Sequence, residues 1–276
     1  MNVKLLNTLR KVCGYRMPRM GSFIAHPLMR RLPPSFEVEL LPGVRCTINP
    51  KDEVQLQAYW LGSRFEAETQ RDLLGWAETG TAFFDIGANF GFYSALIGSR
   101  FPKLPIYPFE PNPGTFQRLK NLAERNSLKN VHPQALALSD QSGELEFFEG
   151  IFDTGSSSFG VNKDRPGKSI GMVPTIAFDE WLAQVGLETP ASPEWFAKID
   201  VEGFEPKVLR GMASALKSKS FFALTIEVSP YNLGNCGSTA GDLYEPLLSA
   251  GYQPSVPLAR IEADKLINVI FALPAR

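Results

Sequence analysis

Ala82-Phe83-Phe84-Asp85-Ile86-Gly87-Ala88-Asn89-Phe90-Gly91-Phe92-Tyr93-Ser94-Ala95-Leu96-Ile97 decides the reading of this chain. Ala82 to Ile86 is a short apolar run that predicts a buried strand, and Gly91 to Arg100 carries a helical pattern. In an open α/β sheet, the turn between such a pair lies where ligands bind, outside the carboxyl ends of the strands. Gly87 and Gly91 let the backbone turn tightly and approach a ligand with no Cβ in the way. The spacing is GxxxG, whereas dinucleotide binding uses GxGxxG to set a helix N-terminus on a pyrophosphate. No GxxxxGK[ST] occurs, so a nucleoside triphosphate is not supported. Asp85, two residues before the first glycine, suits a ligand with an ammonium or sulfonium group better than one with phosphates.

Downstream the strand-then-helix rhythm continues. Pro105 to Phe109 reads as a strand, Pro113 to Asn126 as a helix, and Val131 to Leu138 as a third core strand. Glu144 to Phe148 and Met172 to Ile176 read as the strands of an insertion around a Gly/Ser/Lys-rich loop, 153–171. Asp179 to Gln184 is expected as a helix, Trp195 to Asp200 as a strand, Pro206 to Leu216 as a helix and Phe221 to Val228 as a strand. Leu243 to Ala250 reads as a helix, with Tyr252 to Val256 and Leu266 to Leu273 as an antiparallel edge. Such alternation predicts a parallel sheet covered on both faces. Upstream, Glu37 to Ile48 reads as a hairpin about Pro42-Gly43, and Asp52 to Glu78 as helices broken near Gly62-Ser63.

Carboxylates recur at the expected strand ends. Glu110, after the second strand, can accept both ribose hydroxyl protons of an adenosine cofactor, as acids beyond the glycine turn do in dinucleotide enzymes. Ser139 and Asp140, at the end of the third strand, are candidates to border an adenine. Asp200 and Glu227 end two further strands that should converge with Asp85 on one crevice, and Glu202 follows closely. Helix capping or surface ion pairing are the plainer roles for these acids.

Asp85 to Ser94, Phe109-Glu110-Pro111-Asn112-Pro113 with its helix, Asn130 to Phe148, Asp153 to Phe159 and Lys198-Ile199-Asp200-Val201-Glu202-Gly203 together resemble, in order, the motif series of the FkbM-type methyltransferases. The resemblance spans roughly residues 81 to 228. It implies a class I S-adenosylmethionine-dependent fold: a doubly wound, seven-stranded, mostly parallel sheet of order 3-2-1-4-5-7-6 with its last strand antiparallel. It also implies methyl transfer to hydroxyl oxygens of sugars, glycolipids or secondary metabolites. Matched residue by residue, Asp85, Gly87, Asn89 and Gly91 would line the methionine end of S-adenosylmethionine. Glu110 would hold the ribose, with Ser139 and Asp140 near the adenine, and Asn112 is counted among the cofactor-binding residues. The expected division is a basic extension, hairpin and flank helices over 1–78, followed by the methyltransferase domain over 79–276.

Composition narrows the alternatives. The chain has 276 residues, 44% hydrophobic and 21% charged, with a net charge of −1. Residues 1–36 hold seven basic residues and no acid, which leaves −8 on the remainder. An acidic body is a poor partner for a polyphosphate, so nucleic acid is not expected as substrate. The basic segment is expected to show its charges to water, or to touch anionic lipid or a partner. No apolar run is long enough to span a bilayer. Cys13, Cys46 and Cys236 have neither disulfide nor zinc spacing, and a reducing, cytoplasmic setting is expected. Two histidines, His26 and His132, argue against zinc chemistry, and His132 is expected to be structural.

Transfer of a methyl group to a hydroxyl needs in-line positioning and a base. Asp200, Glu202 and Glu227 are the candidates; two of them holding a Mg²⁺-type ion is the variant reading, although no metal is assigned. The loop Asp153 to Phe159, with Ser156 and Ser157, is the candidate flap. A NAD-type oxidoreductase and a cofactor-binding, non-catalytic scaffold are the competing functions.

Overall fold

The computed structural model describes residues 33–150, 154–160, 167–263 and 266–274. The basic segment up to residue 32, with Cys13 and His26, lies outside them, as do Asp153 and residues 161–166 of the expected flap region.

The first described element is a hairpin, β1 (Phe36–Leu41) and β2 (Val44–Ile48). Phe36, Val38 and Leu40 are buried while Glu37 and Glu39 alternate outward, as a half-buried antiparallel ribbon requires. Helix α1 (Glu53–Leu61) starts at Asp52, whose side chain accepts from the Gln55 N–H. A 3-10 turn at Gly62–Arg64 separates it from α2 (Ala67–Ala77).

The main alternation follows: β3 (Ala82–Ile86), α3 (Phe92–Arg100), β4 (Ile106–Phe109) and α4 (Pro113–Arg125). A smaller unit comprises β5 (Ala137–Ser139), β6 (Gly143–Glu149) and β7 (Lys168–Ala177), leading into α5 (Phe178–Val185). Then come β8 (Trp195–Ile199), α6 (Glu205–Gly211), α7 (Ala213–Lys217) and β9 (Phe221–Val228). The chain closes with α8 (Pro230–Asn235), α9 (Ala240–Ser249), β10 (Gln253–Pro254), α10 (Leu258–Ala263) and β11 (Ile267–Ala272).

The principal sheet has the order β10-β11-β9-β8-β3-β4. Strands β4, β3, β8 and β9 are parallel, and β11 runs antiparallel to both its neighbours. Both faces are covered, and β3 shows why: every one of its residues is buried, and successive side chains enter opposite layers. Phe83 stacks on Phe196 at 4.9 Å in the layer shared with the hairpin, α1, α2 and α3. Phe84 packs on Phe178, Trp181, Trp195 and Phe221 in the layer shared with α5, α6, α7 and α9. Residues 36–77 thus contribute to one of the two cores of the sheet.

Three expectations are corrected. The strand expected over 131–138 is not continuous: residues 130–134 lie beside β4 and 137–139 form a strand elsewhere, so six strands make up the principal sheet where seven were expected. Residues 130–134 run parallel to β4: the Ile106 N–H donates to the Asn130 carbonyl, the His132 N–H to Ile106, the Gln134 N–H to Pro108 and the Glu110 N–H to Gln134. After Gln134 the chain departs, so that β5 pairs with β7 in a separate three-stranded sheet. Second, Pro206 to Leu216 is two helices, broken at Met212; the Asp179 carboxylate accepts from the Ser214 and Ala215 N–H groups and caps the second. Third, β7 begins at Lys168, inside the expected loop, because it is zipped to β6 as far as Glu149.

Candidate active site

The carboxyl ends of β3, β4, β8 and β9 open into one cavity of about 350 Å³, within the range of small-ligand pockets. Gly87, Ala88, Asn89, Phe90, Glu110, Ala137 and Leu138 line one side; Lys198, Asp200, Glu202 and Glu227 line the other.

Gly87 has φ +79°, and a Cβ there would stand 1.8 Å from the Asp200 carbonyl oxygen. The glycine turn therefore packs directly on the end of β8, and the two sides of the cavity share this backbone contact. Gly91 (φ +91°) precedes α3, where a Cβ would strike Leu119; its role is helix packing, and it does not line the cavity. Asp85 is 1% exposed. Its Oδ2 accepts from Ser94 N at 3.1 Å and Ser94 Oγ at 2.6 Å, holding the first turn of α3, while its Oδ1 has no partner. Burial raises its pKa, against the opposing charge of Lys198 and the Ser94 bonds. Asp85 thus stands behind the cavity and shapes the turn.

Glu110 is 6% exposed and does line the cavity. Its Oε1 accepts from Asn112 N at 2.8 Å. Burial pushes it from its ordinary 4.5 to about 7, with the Asn112 and Asn89 N–H groups opposing. Asn112 is the N-cap of α4, accepting from Gly114 N and Thr115 N, and donates to Glu149; it serves the cavity by fixing Glu110. Ser139 and Asp140 stand off the cavity. The Ser139 carbonyl packs against Gly211, and Asp140 faces Arg210 at 3.5 Å. The departure of β5 from the principal sheet turns them toward α6, and Ala137 and Leu138 form the wall instead.

On the opposite side, carboxylate oxygens of Asp200, Glu202 and Glu227 lie within 4.8 Å of one another. Lys198, 5% exposed, donates to Asp200 Oδ2 at 2.6 Å and sits 5.1 Å from the Tyr93 ring centroid. Burial works to lower the pKa of Lys198, but Asp200, Glu66 and Asp85 outweigh it and hold the ammonium above its ordinary value. The Asp200 charge, then burial, drives Glu227 well above the usual carboxylate range. Glu202 adopts φ 54° and accepts from Asn232 Nδ2. The helix α8 that carries Asn232 was not expected; the Ser229-Pro230 pair is its legible signal, a capping serine before proline at the first helical position. Glu205 was also missed. Its Oε1 accepts from Val201 N and Gly203 N, tying the turn that carries Asp200 and Glu202, and burial raises it to about 7.

The flap segment reaches this cavity through Thr154, Gly155, Ser157 and Phe159. Thr154 Oγ1, with one proton to donate, is 2.8 Å from Asp52 Oδ2 and 2.9 Å from Asn89 Oδ1, so the hydroxyl sits between the N-cap of α1 and the glycine turn. Phe159 packs between Phe147 and Phe204. His132 stacks on Tyr107 at 5.4 Å, away from the cavity. Cys46 and Cys236 are free, and burial pushes their thiols to about 12 and about 11.

Fold and site define a doubly wound α/β protein with a binding crevice at the carboxyl ends of its strands. The chain belongs to the FkbM methyltransferase family: the family model described as "Methyltransferase FkbM domain" matches residues 85–254. Among relatives, it is 32% identical over 163 residues to the hexuronic acid methyltransferase AglP of Haloferax volcanii, covering 59% of this chain and 63% of that protein. It is 26% identical over 142 residues to methyltransferase 1 of Beauveria bassiana, covering 46% and 57%. The chain thus spans less than two thirds of the length of either relative. Solved structures similar to it include a precorrin-6y C5,15-methyltransferase of Geobacter metallireducens (TM-score 0.42, 14% identity, 75% of this chain and 88% of that one). Another is M. jannaschii TYW2 in complex with AdoMet (TM-score 0.41, 12% identity, 87% and 86%).

Proposed function

We propose that the protein is an S-adenosylmethionine-dependent methyltransferase acting on a hydroxyl group of a sugar, glycolipid or secondary metabolite. The observation that carries this reading is one cavity in which Glu110 and Asn89 face the acid trio Asp200, Glu202 and Glu227. Glu110 fits an adenosine cofactor: it is a buried carboxylate, open to the cavity, that gains from hydroxyl donors. Bound S-adenosylmethionine would supply an electrophilic methyl group.

The residues of this chain have two tasks. Asn89, Glu110 and the wall of Ala137 and Leu138 orient the cofactor, and the opposite wall aligns the acceptor oxygen for in-line attack. Glu227, whose carboxylate lines the cavity beside Asp200, is the group placed to take the proton of a weakly acidic hydroxyl. The Lys198 contact keeps Asp200 oriented as its neighbour. Three oxygen donors within 4.8 Å also have the spacing for a divalent cation, and activity in excess chelator separates that variant from direct base catalysis.

The test is calorimetric titration with S-adenosylhomocysteine. Saturable binding that weakens at least about tenfold in Glu110→Ala supports the reading, and a folded protein that does not bind overturns it. A sugar acceptor is favoured within the reading by analogy to AglP, which is named for a hexuronic acid; the hydrogen-bond-accepting wall of this chain favours a neutral sugar over an acidic one.

A further inference from the structure

Asp200, Glu202 and Glu227 belong to the region matched by the family. A further carboxylate enters their cavity from outside it. Glu66, between the 3-10 turn and α2, lines the cavity together with Val54, Gln57 and Phe65. Its Oε2 accepts from the Tyr93 hydroxyl at 2.5 Å. It shares the cavity with the acid trio, and its charge acts on both Lys198 and Glu227.

The backbone at Glu66 makes this placement unusual. It lies in the left-handed region, φ 44° and ψ 53°, which a side chain with a Cβ rarely adopts. Glu66 also occupies the N-cap of α2, yet its side chain makes no capping bond. A carboxylate at a helix start gains from the orphan N–H groups there, and this one reaches into the cavity instead. Of the five non-glycine residues described with positive φ, three line this cavity: Glu66, Asn89 and Glu202. Strain concentrated on cavity-lining side chains is the pattern of a functional wall.

We propose, resting on the methyltransferase reading, that Glu66 is an acceptor-binding residue that takes a hydroxyl or ammonium hydrogen of the acceptor and selects against a carboxylate there. Among the described residues, Lys198 is the one cation lining the cavity, and its ammonium is engaged by Asp200. Five carboxylates line the same space: Glu66, Glu110, Asp200, Glu202 and Glu227. Among the described lining residues an acceptor carboxylate would find no unengaged cation, whereas a neutral polyol or an amino sugar would find acceptors for its hydrogens.

The test uses the full chain, tritiated S-adenosylmethionine and methyl glycosides of glucose, mannose and galactose, each as neutral sugar, 2-amino sugar and C6 uronate. The wild-type protein is expected to favour neutral or amino members over the matching uronate by tenfold or more in kcat/KM. Glu66→Gln keeps an acceptor for the Tyr93 hydroxyl; it should raise acceptor KM about tenfold, narrow that preference and leave S-adenosylhomocysteine affinity within twofold. Glu66→Gly removes the carboxylate while relieving the backbone; it should raise Tm and raise KM as well, a combination that a purely structural role does not produce. Unchanged acceptor KM in both variants, or a tenfold loss of S-adenosylhomocysteine affinity, overturns the proposal and leaves the methyltransferase reading standing. A wild-type protein that binds S-adenosylhomocysteine but methylates no member of the set removes hydroxyl transfer to sugars and the proposal together.

Discussion

The two sides of the cavity are built by different means. On the cofactor side, Asp85 is held by Ser94 and Glu110 by Asn112, partners nine and two residues away. Their geometry is settled within one strand–turn–helix unit each. On the acceptor side, Glu66, Lys198, Asp200, Glu202 and Glu227 come from α2, β8 and β9 and the turns beside them. They are held by bonds such as Tyr93 to Glu66 and Asn232 to Glu202, which span 27 and 30 residues. Bonds between near neighbours dominate the first side, whereas the second adds to its own local ties, Lys198 to Asp200 and Glu205 to Val201 and Gly203, contacts that form only when α2, α3, β8 and α8 have come together.

If the two sides divide the work in this way, Glu227→Gln should lower kcat by about 10² to 10⁴ while S-adenosylhomocysteine affinity holds; calorimetry and steady-state rates on the same preparation check it. A parallel loss of cofactor affinity would break the division. Glu110→Ala should do the reverse and weaken S-adenosylhomocysteine by about 10- to 100-fold, the worth of one or two hydrogen bonds to a charged group. Gly87→Ala probes the seam between the sides. A Cβ 1.8 Å from the Asp200 carbonyl forces the turn and β8 apart, so both affinity and kcat should fall, with a Tm loss that thermal unfolding would register.

Smaller effects sharpen the contrast. Glu110 and Glu205 are both raised by burial to about 7. The folded protein therefore holds protons that the unfolded chain releases near 4.5, and their contribution to stability is full below that pH and lost as pH rises through about 7. Thermal midpoints of the ligand-free protein between pH 5 and 8 should show this decline, and the Glu110→Gln, Glu205→Gln double variant should flatten it. Thr154→Val should be the mildest change. It removes the hydroxyl between Asp52 and Asn89, and a few-fold loss of cofactor affinity with kcat retained would tie the flap to the cofactor side.

No helix among the described residues is long and apolar enough to cross a membrane, in keeping with the hydropathy of the sequence. Strand periodicity, the glycine turn and the acids at strand ends were legible because each is a local pattern. The bounds of β3 and β9 are those the apolar runs predict. Asn112, Ser139 and Asp140 show where such a pattern stops being informative. Their neighbourhood in the chain marks them as site residues, but the cap of α4 and the departure of β5 toward β7 turn them elsewhere. Glu205 looked like one acid among several; only the folded turn brings its carboxylate onto two backbone N–H groups.

The sequence by itself determined the doubly wound architecture, the family and the placement of Glu110, Asp200, Glu202 and Glu227 at strand ends. Burial periodicity and turn chemistry act between near neighbours and are written in order along the chain. The tertiary structure decided which of these acids meet, that Lys198 stands among them, and that Glu66 joins them from a segment far upstream. Those contacts depend on distances between strands and helices remote in sequence, which no local pattern encodes.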